Sequence, residues 1–405
     1  MKQNEIPKFG NLQGVRVLCT GGSIAGPVAC ALFAEQGADV IQIESTLAPD
    51  LLRSIGDLWS AEHRNVRCMA LNIRTAQGED VLRKLLAQSD ILVESSKGGT
   101  WVGWGLSDEI LWQINPKLVI VHVSGYGQTG LPEYVKRGSY DTIGQAFGGY
   151  MAVNGMPDPE PPIPPKPYTG DYISALFTAW AAITALYRTR ETGKGESVDI
   201  AQYETLVRVQ GDYLMSGLNS GVQAPRMGAY GNTVVALPNI LRCKDGNYIS
   251  TGIGGVAVFR KVEKILGLEG DPDFAEPHAV INKGDGPRAE KFVKAMNEFC
   301  MSHTAQEANE ILNLEQIPCS VVMTYEMMNS HPHYQARNTF TSWYDPAKGK
   351  DLKGANTIPV FKNNPGRIFR GGPVYGMDND DILEDLGFSA DEIAKLYESD
   401  IVKKT

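Results

Sequence analysis

Asp171 is the residue whose type and position most directly indicate chemistry. It lies in the segment Lys-Pro-Tyr-Thr-Gly-Asp-Tyr (166–172), and an apolar stretch rich in alanine and aromatic residues follows it. That stretch predicts a helix buried on most of its faces, so the helix N-terminus is predicted to be buried too. Unpaired backbone N–H groups and the positive end of the helix dipole favour an anion there. Asp171 is therefore predicted to be a charged carboxylate able to act as a nucleophile, with an ordinary helix cap as the alternative.

Strand and helix patterns alternate around this residue and must position it. Strands are predicted at residues 15–18, 40–43, 91–93, 118–121 and 197–200. Helices are predicted at 25–36, 79–88 and 108–113, from Asp171 onward, and from about Gln202. This alternation predicts an α/β fold with a largely parallel sheet, in which ligands bind at the carboxyl ends of the strands.

The length of 405 residues indicates two domains rather than one core. The pattern changes at about residue 220, a hairpin turning at Asp245-Gly246 follows, and residues 225–330 are predicted to form a smaller α+β domain. Residues 1–220 are assigned to the large α/β domain.

The chain ends in an amphipathic helix. Ser389 and Glu392 match a capping box, and Ile393, Leu396 and Tyr397 share one apolar face. That face needs a partner surface.

Composition argues against several classes of partner. The balance of 38 Lys+Arg against 47 Asp+Glu gives a net charge of −9, without the dense basic stripe that nucleic acid or an anionic membrane requires. The N-terminal residues lack the apolar core of a signal peptide, and no run is long enough to span a bilayer, which predicts a cytoplasmic protein. The six cysteines form no CxxC pair, and the close histidines His331 and His333 flank a proline, so we expect free thiols and no metal site.

The first strand–helix turn permits a dinucleotide interpretation. Gly21, Gly22 and Gly26 lie in this turn, and Glu44 follows at a strand end, where an acidic residue would bind a ribose hydroxyl. The spacing is not GxGxxG, and Pro27 removes one N–H from a phosphate site. An NAD-dependent oxidoreductase is therefore kept as an alternative.

Two further glycine-containing loops follow predicted strands. Lys97 comes just after one strand and is followed by two glycines, a suitable place for a phosphate-bearing ligand, although an isolated lysine is more often solvated. Residues 124–130 form a second such loop. Asp141 is predicted either to cap the helix that it begins or to face the site.

Loop aromatic residues are candidates for stacking on an adenine or holding a cation, although each alone is more often a packing residue. They are Trp59, Trp101, Trp104 and Tyr168.

Taken together, these segments resemble family III CoA-transferases, the CaiB/BaiF group, nearly from end to end. The matching segments are residues 12–18, 24–27, 36–41 with Glu44, 71–73, 93–94, 124–130, 140–141, 171–172 and 192–200. The resemblance implies coenzyme A as a substrate, with no metal, and places the nucleophilic aspartate at Asp171. It places the CoA contacts at Ile24, Ala25, Leu71, Asn72, Ile73, Arg74, Ser95, Ser96, Lys97, Tyr140 and Asp141.

The same resemblance implies an architecture. The large domain is Rossmann-like and is completed by residues 335–405, the small domain lies near 225–330, and residues 331–405 return to the large domain. Two subunits are expected to form an interlocked homodimer.

Carnitine/crotonobetaine and bile-acid CoA-transferases resemble the chain most. We expect an acyl-CoA and a small carboxylic acid as substrates, preferably carnitine, crotonobetaine or γ-butyrobetaine, with a bile acid as the alternative.

Trp104 replaces an arginine of the carnitine enzymes, so another residue must supply that phosphate contact. Ile24 replaces a glutamine of the oxalate-type members, which argues against a dicarboxylate. The glycines at 252, 254 and 255 are candidates for a lid, or for an ordinary loop. A silent CoA-binding homologue is the further alternative.

Overall fold

The chain divides into two compact units in the computed structural model, which describes residues 1–232 and 234–404. The first unit comprises residues 1–150, 165–216 and the segment from 335 onward. The second comprises 151–164 and 217–334. Residues 151–164 group with the second unit because Arg226 donates to the Met156 carbonyl at 2.9 Å and pairs with Asp158 at 2.5 Å.

A six-stranded parallel sheet forms the centre of the first unit. Its strands are β1 (Arg16–Cys19), β2 (Asp39–Glu44), β3 (Arg67–Ala70), β4 (Ile91–Glu94), β5 (Val119–Ser124) and β6 (Glu196–Ala201). Their order is β3-β2-β1-β4-β5-β6, and the register places Val17 beside both Val40 and Ile91. The strand order reverses between β1 and β4, and sheets of this order bind ligands at the carboxyl ends of those strands. The predicted α/β fold with a Rossmann-like parallel sheet is confirmed.

Helices connect the strands of this sheet. They are α1 (Ala25–Ala34), α2 (Leu58–Glu62), α3 (Ala76–Ala87), α4 (Thr100–Gly103), α5 (Asp108–Ile114), α6 (Pro132–Val135), α7 (Asp141–Phe147) and α8 (Thr169–Thr192). Two further helices, α9 (Gln202–Val209) and α10 (Asp212–Ser220), follow β6.

Both faces of the sheet are covered by apolar side chains. On one face, Phe33 of α1 and Leu186 of α8 pack with Val17 and Val121. On the other, α3 and α5 contribute buried leucines to a cluster that contains Leu18. Burying each such side chain contributes about 1.5–3 kcal/mol, so the two layers hold the strand ends in fixed positions.

Strand β3 is missing from the predictions. It contains Arg67, whose charge argues against a buried strand in a sequence reading. The guanidinium is nevertheless only 1% exposed, because Asp39 and Asp385 pair with it at 2.8 and 2.9 Å. These partners are distant in sequence, so the local pattern could not indicate them.

Helix α8 differs from its prediction. Leu176, Trp180 and Tyr187 are 60%, 67% and 70% exposed and lie on one stripe of the helix. The helix is therefore buried along one side and apolar but exposed along the other.

The second unit contains a three-stranded antiparallel sheet. Its elements are β7 (Ile240–Arg242), β8 (Tyr248–Thr251), α11 (Val256–Ile265), α12 (Pro287–Ser302), α13 (Ala305–Leu314), β9 (Cys319–Val321), α14 (Tyr325–Ser330) and α15 (Pro332–Ala336). The predicted hairpin at Asp245-Gly246 is confirmed between β7 and β8, and Gly246 has a φ of 82°. Residues 252–255 connect β8 to α11.

The C-terminal segment packs on the first unit. It contains β10 (Phe340–Asp345), β11 (Lys350–Ala355), α16 (Asn379–Asp385) and α17 (Ala390–Glu398). The predicted capping box of Ser389 and Glu392 is confirmed, and Ile393 and Leu396 join the cluster that contains Leu18. The partner surface of the tail helix is thus one face of the sheet in its own chain.

Over the two described ranges, no helix has both the length and the apolar character needed to cross a membrane.

Candidate active site

Asp171 is the third residue of α8, and it is 8% exposed. The residue preceding the helix is Tyr168, whose φ of 37° lies in the left-handed region. Asp171 is therefore not an ordinary cap of α8, because it lies inside the first turn. Its surroundings come from α7 and from the start of α9.

Asp141, the first residue of α7, caps α8 in place of Asp171. Its Oδ1 accepts the backbone N–H of Gly170 at 2.8 Å and that of Asp171 at 3.2 Å. Its Oδ2 accepts an N–H from the side chain of Gln145 at 2.8 Å. The expectation that the helix amides stabilise the charge of Asp171 is thus wrong for these two amides, which bind Asp141.

Gln202 is the direct polar partner of Asp171. Its Nε2 donates to Asp171 Oδ1 at 2.5 Å, and the Gln202 side chain is buried. Gln202 is the first residue after β6, so it lies at the carboxyl end of that strand. The sequence pattern predicts a helix start here but indicates no function for Gln202. Its position just after a predicted parallel strand was the signal available.

The pKa of Asp171 is raised to about 7. Burial is the main cause, since it disfavours the charged form, and the neighbouring negative charge of Asp141 adds to it. The hydrogen bond from Gln202 acts in the opposite direction. Asp171 consequently exchanges between acid and carboxylate near neutral pH, and its ionised form is more basic than an exposed carboxylate.

Glycines bring the loops that follow β1, β4 and β5 together. A Cβ added at Gly21 would lie 2.2 Å from Ser95 Oγ, and one added at Gly98 would lie 2.6 Å from the Gly127 carbonyl oxygen. Lys97 is exposed and extends beside Gly138, whose added Cβ would lie 3.9 Å from Lys97 Nζ. The chain from Gly138 to Asp141 therefore connects the Lys97 loop to the surroundings of Asp171.

Ile24 and Ala25 lie where β1 leads into α1. Ile24 is buried and its carbonyl accepts the N–H of Val28, while Ala25 is half-buried. Tyr140, by contrast, is 67% exposed immediately before the buried Asp141.

The segment after β3, residues 71–74, contains both buried and exposed side chains. Leu71 is buried and pairs with Val402, and Asn72 donates its N–H to the Ile401 carbonyl at 2.8 Å. Ile73 packs against the core, and Arg74 is exposed. The C-terminal tail thus holds the backbone of this segment in place.

Arg74 lies over Trp104, with its guanidinium carbon 4.6 Å from the ring centroid. This contact places a cation beside the ring of Trp104. It also brings the loops after β3 and β4 together.

A buried histidine supports the Lys97 loop. His122 contacts Glu94 Oε1 through Nδ1 at 2.7 Å and Asp108 Oδ1 through Nε2 at 3.0 Å. The other oxygen of Glu94 accepts the N–H of Ser96 at 2.7 Å. Burial would lower the pKa of His122, but the hydrogen bonds to Asp108 and Glu94 raise it to about 9. A protonated His122 therefore holds Glu94, and Glu94 holds the loop.

The dinucleotide role suggested for Glu44 is wrong. Glu44 is 4% exposed, and Arg53 pairs with it at 2.5 Å. Its Oε1 also accepts the N–H of Asp50 at 2.8 Å. Neighbouring groups of the protein therefore occupy the carboxylate that would bind a ribose.

Three of the four loop aromatic residues have partners within the chain. Trp59 lies between Arg53 and His63, each 3.6 Å from it by centroid distance. Trp101 is 3% exposed, and Trp104 contacts Arg74. Tyr168, next to the first turn of α8, is 37% exposed.

Groups of three or more His, Cys, Asp or Glu side chains able to hold a metal ion are absent from the part of the chain that the structure describes.

The strand order places the chain among Rossmann-like α/β proteins, which bind ligands at the carboxyl ends of their strands, and comparisons with known proteins identify the family. The model of CoA-transferase family III matches residues 12–379. Bile acid CoA-transferase BaiK from Clostridium scindens is 42% identical over 397 residues, which cover 96% of this chain and 89% of that protein. The chain belongs to CoA-transferase family III and is a CoA-transferase.

Solved structures share the fold. A CaiB/BaiF family protein from Brucella suis has a TM-score of 0.80 at 26% identity, covering 94% of this chain and all of that one. Rv3272 from Mycobacterium tuberculosis has a TM-score of 0.75 at 22% identity, covering 92% of this chain and 99% of that one.

Proposed function

We propose that the protein transfers CoA from an acyl-CoA to a free carboxylic acid through a thioester on Asp171. The observation that carries this proposal is a buried carboxylate, Asp171, with a pKa near 7, next to loops suited to a phosphate-bearing ligand. Desolvation makes the ionised form a stronger nucleophile than an exposed carboxylate. Family membership supports CoA as the group transferred.

The chemistry divides into two equivalent halves. A carboxylate oxygen of Asp171 attacks the thioester carbonyl, a C–O bond forms, the C–S bond breaks, and CoA thiolate leaves a mixed anhydride. The thiolate then attacks Cγ of Asp171, the donor acid departs as a carboxylate, and an aspartyl-CoA thioester results. The acceptor acid runs the same steps in reverse. Each step exchanges one activated acyl group for another, so no external energy source is needed.

We further propose that the predicted contact residues other than Asp141 bind CoA. Lys97 and Arg74 supply exposed cations for phosphate groups, and the backbones of residues 24–25, 71–73 and 95–96 line the approach. Tyr140 is exposed and offers an aromatic face, and Asp141 acts on Asp171 rather than on CoA. Arg74, which lies over the ring of Trp104, is our candidate for the phosphate contact that an arginine provides in the carnitine enzymes.

A bile acid is our first candidate for the acid that carries or receives CoA. The 42% identity to a bile acid CoA-transferase over most of both chains supports it. A trimethylammonium acid such as carnitine, crotonobetaine or γ-butyrobetaine is the second candidate. It needs aromatic faces around its cation, and three of the four aromatic candidates already have internal partners, which leaves Tyr168.

The test is the intact mass of the enzyme after incubation with choloyl-CoA and, separately, with crotonobetainyl-CoA. We expect an adduct equal to CoA less one water, which hydroxylamine removes and which an Asp171→Asn variant does not form. The donor that labels faster identifies the substrate class. An enzyme that binds CoA but forms no adduct with either donor would contradict the covalent route and favour a silent CoA-binding homologue.

We also propose a homodimer in which the exposed stripe of α8 lies against a second copy. Leu176, Trp180 and Tyr187 form an apolar face of the kind that marks protein interfaces. Light scattering after size exclusion should give twice the chain mass, and a Trp180→Glu variant should shift toward monomer. An unchanged mass in that variant would contradict this placement of the interface.

A further inference from the structure

Gln202 makes the two oxygens of Asp171 unequal. Its Nε2 donates to Oδ1 at 2.5 Å, whereas the neighbouring Asp141 interacts with the backbone of the same turn. An oxygen that accepts such a bond shares its electron density with the donor and is the weaker nucleophile. The two oxygens are therefore prepared for different tasks.

We propose that Gln202 is a catalytic residue whose side-chain N–H binds Asp171 Oδ1 throughout the reaction and stabilises the negative charge that develops there. Oδ2 is then the attacking atom. This inference rests on the proposed aspartyl-CoA route and assigns a group to the steps at Asp171 Cγ.

The assignment follows from where charge appears in those steps. When CoA thiolate attacks Cγ of the anhydride, a C–S bond forms and the C=O electron pair moves onto Oδ1. The pair returns as the bond from Cγ to Oδ2 breaks and the donor acid leaves carrying Oδ2. The acceptor acid produces the same oxyanion when it attacks the thioester. An N–H already directed at Oδ1 needs no reorganisation at either step.

One contact orients the side-chain amide of Gln202, and two others hold its backbone. Ser139 Oγ donates to Gln202 Oε1 at 3.1 Å, which directs the nitrogen of the amide toward Asp171. Thr205 Oγ1 donates to the backbone carbonyl oxygen of Gln202 at 2.8 Å, and Ser174 Oγ of α8 lies 3.0 Å from that hydroxyl. Helices α8 and α9 are thereby joined at the ends that carry Asp171 and Gln202.

Gly144 provides the space for this side chain. A Cβ added there would lie 2.4 Å from Gln202 Oε1 and 2.7 Å from its Cδ. Because the Gln202 side chain can rotate about its own bonds more easily than α7 can shift, an alanine at this position should displace the amide rather than the helix. The absence of a side chain at Gly144 is therefore part of the site.

The first test is Gln202→Met, which has a similar volume but cannot donate a hydrogen bond. Using the acyl-CoA that labels the wild type, rapid-quench mass spectrometry should show aspartyl-CoA forming and breaking down about 10²- to 10³-fold more slowly. The dissociation constant for CoA should change less than about threefold. Gln210→Met is the matched control, because its amide binds the Gly148 carbonyl instead.

A second test uses Gly144→Ala, with Gly217→Ala as the control. Alanine stabilises a helix more than glycine does. We therefore expect thermal stability to be kept while adduct formation slows as in Gln202→Met. Burial and Asp141 raise the pKa of Asp171 and the bond from Gln202 opposes them, so both variants should shift the acid limb of the pH–rate profile to higher pH.

The outcomes separate this inference from the proposed function. A wild type that forms no adduct contradicts the proposed function itself. A wild type that forms the adduct, with Gln202→Met equally fast, overturns the role of Gln202 and leaves the transferase route intact. A Gln202→Met variant that weakens CoA binding and stability without slowing the adduct steps also overturns it.

Discussion

The ionisation of Asp171 should make the enzyme less stable in the pH range where the nucleophile is charged. The pKa of the buried carboxyl lies near 7 instead of 3.8, chiefly because burial disfavours the anion and then because Asp141 repels it. The neutral acid is thus the form that the fold prefers. The stability that this preference contributes is complete below about pH 3.8 and is lost as pH rises through about 7.

The magnitude follows from the pKa. A rise from 3.8 to about 7 corresponds to about 4 kcal/mol between the two limits. Integrated over a practical range, about 2 kcal/mol is lost between about pH 5.5 and about pH 8.5. Asp171→Asn keeps the shape and does not titrate, so its gain over the wild type should be about 2 kcal/mol larger at the higher pH.

The assay is urea unfolding of both proteins at the two pH values and one protein concentration, since association shifts apparent stability. Asp351→Asn, an exposed position in β11, is the control and should show no such trend. A gain from Asp171→Asn that is equal at both pH values would refute a raised pKa. A larger gain at the lower pH would refute the sign of the argument.

Three other outcomes are expected. The pKa of His122 is raised to about 9, so the stability that this residue contributes is complete below about pH 6.5. Up to about 3 kcal/mol of that stability is lost as pH rises through 9, and urea unfolding of His122→Gln should lack this loss. Arg74→Gln should weaken CoA binding about tenfold by calorimetry, whereas Trp104→Phe, which keeps an aromatic face, should change it less than about threefold. Asp141→Asn should move the acid limb of the pH–rate profile to lower pH, and an unmoved limb would mean that its charge does not act on Asp171.

The sheet and most of its helices could be predicted from sequence because apolar periodicity records burial directly. The hairpin at Asp245-Gly246 and the cap at Ser389 were equally accessible, since turns and caps depend on residues close in sequence. Strand β3 could not be predicted from sequence, because the charge of Arg67 is neutralised by Asp39 and Asp385 from elsewhere in the chain. Local patterns therefore fail where a buried charge has distant partners.

In the candidate site, too, features set by nearby residues could be predicted and features set by distant residues could not. Asp171 could be selected from its place at the start of an apolar helix, but its electrostatic environment could not, because the helix amides bind Asp141 from another helix. Gln202 has no distinctive pattern of its own, and its orientation depends on Ser139 and on the space at Gly144. The roles suggested for the loop tryptophans depended in the same way on partners such as Arg53 and Arg74.

Asp141 and Asp171 have different roles at the start of α8, and a single carboxylate could not combine them. A carboxylate that accepts several backbone N–H bonds is stabilised as an anion and is a weaker nucleophile. Here Asp141 accepts the amides of Gly170 and Asp171, and so removes those donors from Asp171 while adding a like charge beside it. Asp171 keeps one donor, Gln202, on one oxygen. Its other oxygen is then a basic and weakly solvated nucleophile, which is what attack on a thioester requires.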